Sequence, residues 1–507
     1  MKYYDLGENH FEEPEVIRKE YLEVDYRDKQ IEAGGLNIIY DGKKAVIALK
    51  DNNTIIFGSS GSKKSRDVNA PYIYSCVKAG ENLIINDPKK ELYKMVYKSM
   101  GKYDIKIIDF KNPEKSDKYN PYEYYSKIYH EDQGAAVEGF AEGGDSLSNE
   151  VHSETDVFWE KGVSSMFTGY ACILSMEYKY NPEMCNLHNI CKLHLQGAGK
   201  FGGDTYMKAY FDDENSKAFE MLNTYINAAQ ETRKSLDAVF SGAISKYIAN
   251  EKINEMISTK SSFEMPDLIN NSEKANGKPF AIFISNKDES TLYNPIVTMI
   301  INQFYSQLIK KAKENGGALK RRCNFILDEF ASSIGAIPYI NNKFSTCRSR
   351  QIRFVISIQS LSQLRLVYGK EETEIILQNC NDWVYLNSND PQLLKMVSER
   401  CGEVTDIGGN TRKLVPVEKL VHLEKDNNGK TQALFLIGRN YPYFSYLPDI
   451  KEYYGIDILK KSNLRKKKAE ILPELDFKEI VKEKKKQKLL KLMEEAKNDT
   501  TGELDDL

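Results

Sequence analysis

The sequence predicts an α/β fold: a mainly parallel sheet carrying a phosphate-type loop, interrupted by an all-α insertion and followed by a charged C-terminal tail. Three observations predict it. Short β-branched runs bounded by Gly, Pro, Asn or Asp recur along the chain, and one of them leads straight into a glycine-rich turn. The stretch from Tyr125 to about Pro266 shows apolar residues at three-to-four spacing and no comparable run.

The runs are AVIAL (45–49), TIIF (54–57), NLIIND (82–87), DIKIIDF (104–110), PFAIFIS (279–285), NFILDEF (324–330), IRFVISIQS (352–360), DWVYLN (382–387) and QALFLIG (432–438). Continuous apolar runs of this length, separated by stretches of helical spacing, suit strands buried on both faces of a parallel sheet. The insertion opens on EGFAEGGDSLSNE (138–150), whose glycine and acid content predicts a mobile loop, before helical segments such as VFWEKGVSSMFTGYACILSMEY. From Lys460 the composition shifts: 460–468 hold six positive charges and no acid, FKEIVKEKKKQKLLKLMEEAK reads as a charged helix, and DTTGELDDL is an acidic end. The expected organisation is an N-terminal segment (1–40), a nucleotide-binding domain (41–127 with 267–459), an inserted all-α domain (128–266) and the tail (460–507).

At 507 residues the chain has ample length for several folded units, with 41% apolar and 29% charged residues. Lysine and arginine total 71 against 74 acidic residues, which excludes a uniformly basic nucleic-acid-coating protein and confines any polyanion site to a patch. Eight scattered cysteines without a CxxC pair predict reduced thiols in the cytosol. No apolar window approaches a membrane span, and the acidic start is no signal peptide. The 32 tyrosines are dispersed, against a base-stacking RNA reader.

The run TIIF feeds GSSGSKKSR (58–66) and then a helix-capable stretch, the strand, Gly-rich loop and helix order of a phosphate-binding loop. In such a loop backbone N–H groups wrap the phosphates, a lysine reaches the β/γ-oxygens and a hydroxyl ligates Mg²⁺. Aligned so, Gly58 and Gly61 shape the turn, Lys64 is the phosphate lysine and Ser65 the metal ligand. The motif wants glycine at 63 and finds Lys63, which puts nucleotide binding and hydrolysis against the other reading, a glycine-rich surface turn. Further on, NFILDEF ends in Asp328-Glu329. A buried acidic pair at a strand end is costly without a cation; Asp328 would hold Mg²⁺ and Glu329 would polarise the attacking water.

Several stretches occur together in one order: GSSGSKKSRDVNAP, NDPKKELYKMV (86–96), FKNPEKSDKYNPYEYY (110–125), DVFWEKG (156–162), ETRKSL (231–236), FILDEFASSIGAIP, STCRSRQIRFVISIQSLSQLRLVYG (345–369) and LQNCNDWVYLNSND (377–390). With them, over roughly residues 40–410, the sequence resembles the type IV secretion coupling proteins (TraG/TraD-like), hexameric RecA-fold ATPases related to FtsK-type DNA translocases. The resemblance implies a RecA-like P-loop domain with ATP and Mg²⁺ as cofactors, Lys64 and Ser65 as Walker A residues and Asp328 and Glu329 as the Walker B pair. It implies that Arg348 reaches across a subunit interface to the γ-phosphate, with Arg350 as rival, and that Gln359 senses the γ-phosphate. Asp87, Lys89 and Glu91 fall on a loop near the site and receive no individual chemistry.

The implied partners are single-stranded DNA bound without sequence preference, a relaxase or other transferred protein, channel components, and copies of the chain in a hexamer. The implied place is the cytoplasm, at the inner face of the membrane. Because the family usually begins with transmembrane helices, the chain is expected to be trimmed, a soluble branch, or served by a separate membrane anchor. Two further readings stay open: a non-hydrolysing docking module, and a FtsK- or HerA-like translocase of duplex DNA.

Two other groups invite chemistry and are set aside. Cys185, His188, Cys191 and His194 are spaced by three; on a helix each step turns the side chain by about 300°, so the four fan out rather than converge on zinc. Cys347 adjoins Arg348, which could lower its thiol pKa, but without a partner base it reads as packing.

Overall fold

The computed structural model describes residues 9–48, 51–148, 157–211, 215–287, 290–405, 409–423, 426, 429–460 and 464–502. The chain forms two compact units, one of residues 1–117 and 263–466, the other of 118–262 and 467–507.

The first unit is built on a nine-stranded sheet. Its strands are β1 (Asn53–Gly58), β2 (Asn82–Asn86), β3 (Asp104–Asp109), β4 (Phe280–Ser285), β5 (Cys323–Leu327), β6 (Ile352–Ile358), β7 (Cys380–Asn387), β8 (Thr431–Ile437) and β9 (Tyr443–Leu447). They lie in the order β9-β8-β7-β1-β6-β5-β2-β4-β3. The seven strands from β7 to β3 pair parallel, and β8 and β9 close one edge antiparallel. All residues of β1, β2, β4, β5 and β6 are buried, as continuous apolar runs require when helices cover both faces. Helices Ala70–Ala79, Asn294–Glu314 and Leu361–Asn379 provide three of the crossovers.

All nine runs are strands, with two departures from the expected sheet. The run at 45–49 belongs to a separate antiparallel sheet, where Lys44–Ala48 lies between Leu22–Asp25 and Leu36–Tyr40. The run at 432–438 is β8, antiparallel to β7.

The second unit is helical, apart from a two-residue pairing of Lys200–Phe201 with Asp204–Thr205. The stretch predicted as a mobile loop from 138 is instead helix as far as Ser148, within Gln133–Ser148; residues 149 and 150 lie outside the described residues. Its glycines serve packing. A Cβ on Gly139 would come within 2.1 Å of the Tyr125 ring, and one on Gly144 within 2.7 Å of the Ser164 carbonyl, so the helix reaches its neighbours only where side chains are absent.

The charged helix of the tail spans Phe477–Gly502, and its start is anchored in this unit. Phe477 is buried and lies 5.3 Å from the Tyr210 ring, its N–H donates to Gln196 Oε1 at 2.6 Å, and Lys484 pairs with Glu177 at 2.8 Å.

Candidate functional site

At the carboxyl edge of the parallel strands the crossover loops converge, which is where open α/β sheets bind ligands. The loop from Gly58 leaves β1 there, Asp328 and Glu329 leave β5, and Gln359 leaves β6. Ser59 is pinned by the end of β7: its N–H and Oγ donate to Asn387 Oδ1 at 3.0 and 2.8 Å. Gly61 turns the chain at φ 81°.

Lys63 adopts φ 67° and ψ 20°, the left-handed conformation the motif reserves for glycine. A side chain there costs about 1–2 kcal/mol. The strained turn makes the Lys63 carbonyl the first acceptor of the following helix, taking the N–H groups of Arg66 at 2.9 Å and Asp67 at 2.8 Å. The Lys63 ammonium favours ionised Asp67, whose pKa burial pushes up to about 6 against Thr431 and Lys63. The loop therefore keeps its backbone course despite the substitution. Lys63→Gly is accordingly expected to change stability by less than about 1 kcal/mol, since relief of the left-handed strain is offset by glycine's greater freedom in the unfolded chain. Thermal melting checks the stability, and calorimetric titration should find nucleotide affinity equal or higher.

Lys64 is only 7% exposed and its Nζ donates to the carbonyls of Gly58 and Ser59. Burial lowers its pKa, while Asp328 and Glu329 act the other way. Ser65 Oγ donates to Asp328 Oδ2 at 2.7 Å, and Asn69 Nδ2 donates to Asp328 Oδ1 at 3.2 Å and to Ser357 Oγ at 2.9 Å. Burial raises the Asp328 pKa, opposed by the Ser65 hydrogen bond and Lys64. The result is a helix start and a buried ammonium beside a hydroxyl and a carboxylate. The first two suit phosphate oxygens, and the oxygen pair suits a hard divalent cation such as Mg²⁺.

The family model described as type IV secretory system conjugative DNA transfer matches residues 4–414. The chain belongs to that family. Among solved structures, the plasmid coupling protein TrwB in complex with the ATP analogue ADPNP superposes with a TM-score of 0.64 at 15% identity, over 91% of this chain and 97% of that one. A TrwB form in complex with sulphate gives 0.63 at 14% identity, over 91% and 96%. VirB4 of Thermoanaerobacter pseudethanolicus gives 0.52 at 12% identity, over 84% and 99%. These likenesses are of fold alone, a mostly parallel α/β sheet with an all-α region as in TrwB. An uncharacterized Bacillus anthracis protein is 35% identical over 74 residues, 15% of this chain and 24% of that protein; the chain thus spans about a quarter of that relative's length.

Within this member of the conjugative DNA transfer family, Lys64, Ser65, Asp328 and Glu329 come together around one spot. Gln359 is half-buried just beyond β6, the strand between β1 and β5. Arg348 is not part of this cluster. It is exposed on the turn Arg348–Arg350 that precedes β6, at the amino edge of the sheet. Arg350, half-buried on the same turn, donates to Ser349 Oγ at 2.8 Å. Burial pushes the neighbouring Cys347 thiol up to about 11, so Arg348 does not activate it. In the helical unit His194 is buried and contacts Tyr170 Oη at 3.0 Å and Ser241 Oγ at 3.2 Å.

Two residues of the cluster, Asn69 and Asn387, escaped sequence reasoning, and a third, Lys89, was placed near the site without a role. Lys89 Nζ pairs with Glu329 Oε1 at 2.7 Å. The NDPKKEL loop had been marked as near the site, but nothing in its spacing says which of its side chains reaches β5. In the same loop the Asp87 carboxylate accepts the N–H groups of Glu91 and Tyr93 at 3.0 and 2.8 Å, a local structural role.

Proposed function

We propose that this protein is an ATP-hydrolysing coupling protein, which takes relaxase-bound single-stranded DNA or a protein cargo and drives it toward a type IV secretion channel. The observation that carries the proposal is the 2.7 Å contact between Ser65 and Asp328, which joins the phosphate-type loop to the acidic strand end in a chain of the conjugative DNA transfer family. TrwB, which shares the fold, has been solved with ADPNP and with ADP and Mg²⁺.

In this reading the N–H groups following Gly58 and the Lys64 ammonium hold the β- and γ-phosphates. Ser65 and Asp328 hold Mg²⁺, which when bound neutralises charge on the phosphate oxygens. Glu329 accepts a proton as a water oxygen attacks the γ-phosphorus and the bond to the ADP oxygen breaks. Gln359, on the strand between the two halves of the site, is placed to respond to the loss of the γ-phosphate.

Arg348 requires a second copy. β6 has seven residues, so about 20 Å separates its two ends at roughly 3.3 Å per residue. The guanidinium of one chain cannot reach its own site along that path, whereas an exposed arginine can serve a neighbour in a homo-hexamer. DNA held by such a ring is bound through its backbone and released by salt. No helix among the described residues is long and apolar enough to cross a membrane, and the proposed location is the cytoplasmic face of the membrane, reached through partners.

The test is ATP turnover with single-stranded DNA present. Lys64→Ala and Arg348→Ala are each expected to be nearly inactive, and a mixture of the two to regain a substantial fraction of wild-type turnover, since mixed rings contain intact interfaces. An active wild type without recovery in the mixture would remove the cross-subunit role. A wild type that binds ATP without turning it over would leave the docking module.

A further inference from the structure

Glu329 is held in an unusual way for a residue that must accept a proton. Its backbone is left-handed, with φ 52°, and is fixed from both directions: its N–H donates to Asp328 Oδ1 at 3.2 Å and its carbonyl accepts the N–H groups of Ser332 and Ser333 at 3.0 Å. The carboxylate points to Lys89, at 2.7 Å. Lys89 is anchored on both sides. Asp87 caps the helix that follows, and Lys90, itself left-handed at φ 56°, pairs with the buried carboxylate of Asp109. Between these anchors the Lys89 side chain is 45% exposed. Its charge also reaches Lys64, whose ammonium it disfavours.

We propose that Lys89 is a triphosphate-responsive latch. Without a γ-phosphate its ammonium holds the Glu329 carboxylate. When a triphosphate occupies the loop, the ammonium moves to the γ-phosphate oxygens, which carry the greater negative charge, and the freed carboxylate turns to the attacking water. Lys89 is thus a positioning residue: it keeps the base occupied until the group to be attacked is present. The inference rests on the nucleotide-site reading above and adds a residue and a switching contact to it.

The test uses the full chain with ADPNP and ADP. Lys89→Met, which keeps the length of the side chain and removes its charge, is expected to lower the ratio of ADPNP to ADP affinity by about tenfold or more, the loss of one charge-assisted hydrogen bond. Lys89→Arg should retain most of the ratio. Glu329→Gln, which weakens the competing contact, should raise it. A double-mutant cycle on melting temperature with Lys89→Met and Glu329→Gln should show coupling in the nucleotide-free and ADP-bound protein and little with ADPNP. Equal weakening of both nucleotides by Lys89→Met, or coupling that persists with ADPNP, would make the pair a static salt bridge and overturn the proposal. A wild type bound by neither nucleotide would overturn the nucleotide reading and the latch together, and that failure is visible before any variant is made.

Discussion

Replacing Glu329 with glutamine is expected to lower ATP turnover by about two to four orders of magnitude, the usual contribution of a positioned general base, while triphosphate affinity holds or rises. Glutamine keeps the shape of the side chain, removes its capacity to accept a proton and weakens its contact with Lys89. The backbone that sets the position, including the left-handed φ of 52°, is untouched by the change. Lys64→Ala should behave differently. The Lys64 ammonium is buried against the Gly58 and Ser59 carbonyls and its charge acts on both Asp328 and Glu329, so its loss removes a phosphate contact and one of the positive charges that offset the two carboxylates. Nucleotide binding should weaken about 10- to 100-fold, as for a charged hydrogen bond of about 1.5–3 kcal/mol, and turnover should fall with it. Steady-state kinetics alongside direct titration separates the two: a pure kcat defect for Glu329→Gln and a joint defect for Lys64→Ala. Turnover surviving both changes would assign the activity to another protein.

The placement of these residues could be read from sequence because each ends or follows an apolar run. A strand with all its residues buried, such as β5, leaves its polar character to the residues just past its end, and Asp328 and Glu329 stand there. Lys64 and Ser65 were fixed by their distance from Gly58. The residues that escaped lack any such local mark. Asn69 is a polar residue one turn into a helix, and its importance lies in meeting Asp328 and Ser357 across the sheet. Lys89 sits on a loop of several charged residues, and only the adjacency of β2 and β5 selects it. The same limit shows in the fold. Composition correctly marks the run at 45–49 as a strand but not its partner, because Leu22–Asp25 is short and mostly exposed or half-buried. β9 was missed because YFSYL is short and broken by Ser445, whereas the expected strands were continuous apolar runs. The part of the helix Gln133–Ser148 from residue 138 was read as a loop from its glycine and acid content, although Gly139 and Gly144 serve close approach to Tyr125 and Ser164. For Lys63 the sequence shows a lysine where glycine is wanted, but not whether the chain would abandon the turn or bear the strain.

The largest effect on stability is expected from Glu81, on the opposite edge of the sheet. Arg353 is 1% exposed at the start of β6 and donates to Glu81 Oε2 at 2.7 Å, to Asn324 Oδ1 at 2.8 Å and to the Gly34 carbonyl at 3.1 Å. Glu81 also accepts from Arg322 at 2.9 Å, Asn324 at 2.9 Å and the Gly34 N–H at 3.0 Å. Removing either charge is not equivalent. Glu81→Leu strands Arg353 in the core without a carboxylate and leaves the Gly34 N–H unpaired, so a loss of about 3–5 kcal/mol is expected. Arg353→Leu leaves Glu81 its Arg322 partner and should cost less, and the double variant should recover part of the loss because the buried charge and its countercharge disappear together. The pH dependence distinguishes this from lost packing. Burial alone would raise the Glu81 pKa, but Arg353 and Arg322 hold it below the ordinary value. A carboxylate depressed in the folded state contributes its full stability above the unfolded pKa of about 4.3, and that contribution disappears as pH falls through the lower folded value. Denaturant melts should therefore show a constant gap between wild type and Glu81→Leu at neutral pH that narrows only below about pH 4. A gap independent of pH down to the acid limit would mean that shape, and not charge, holds this corner of the sheet together.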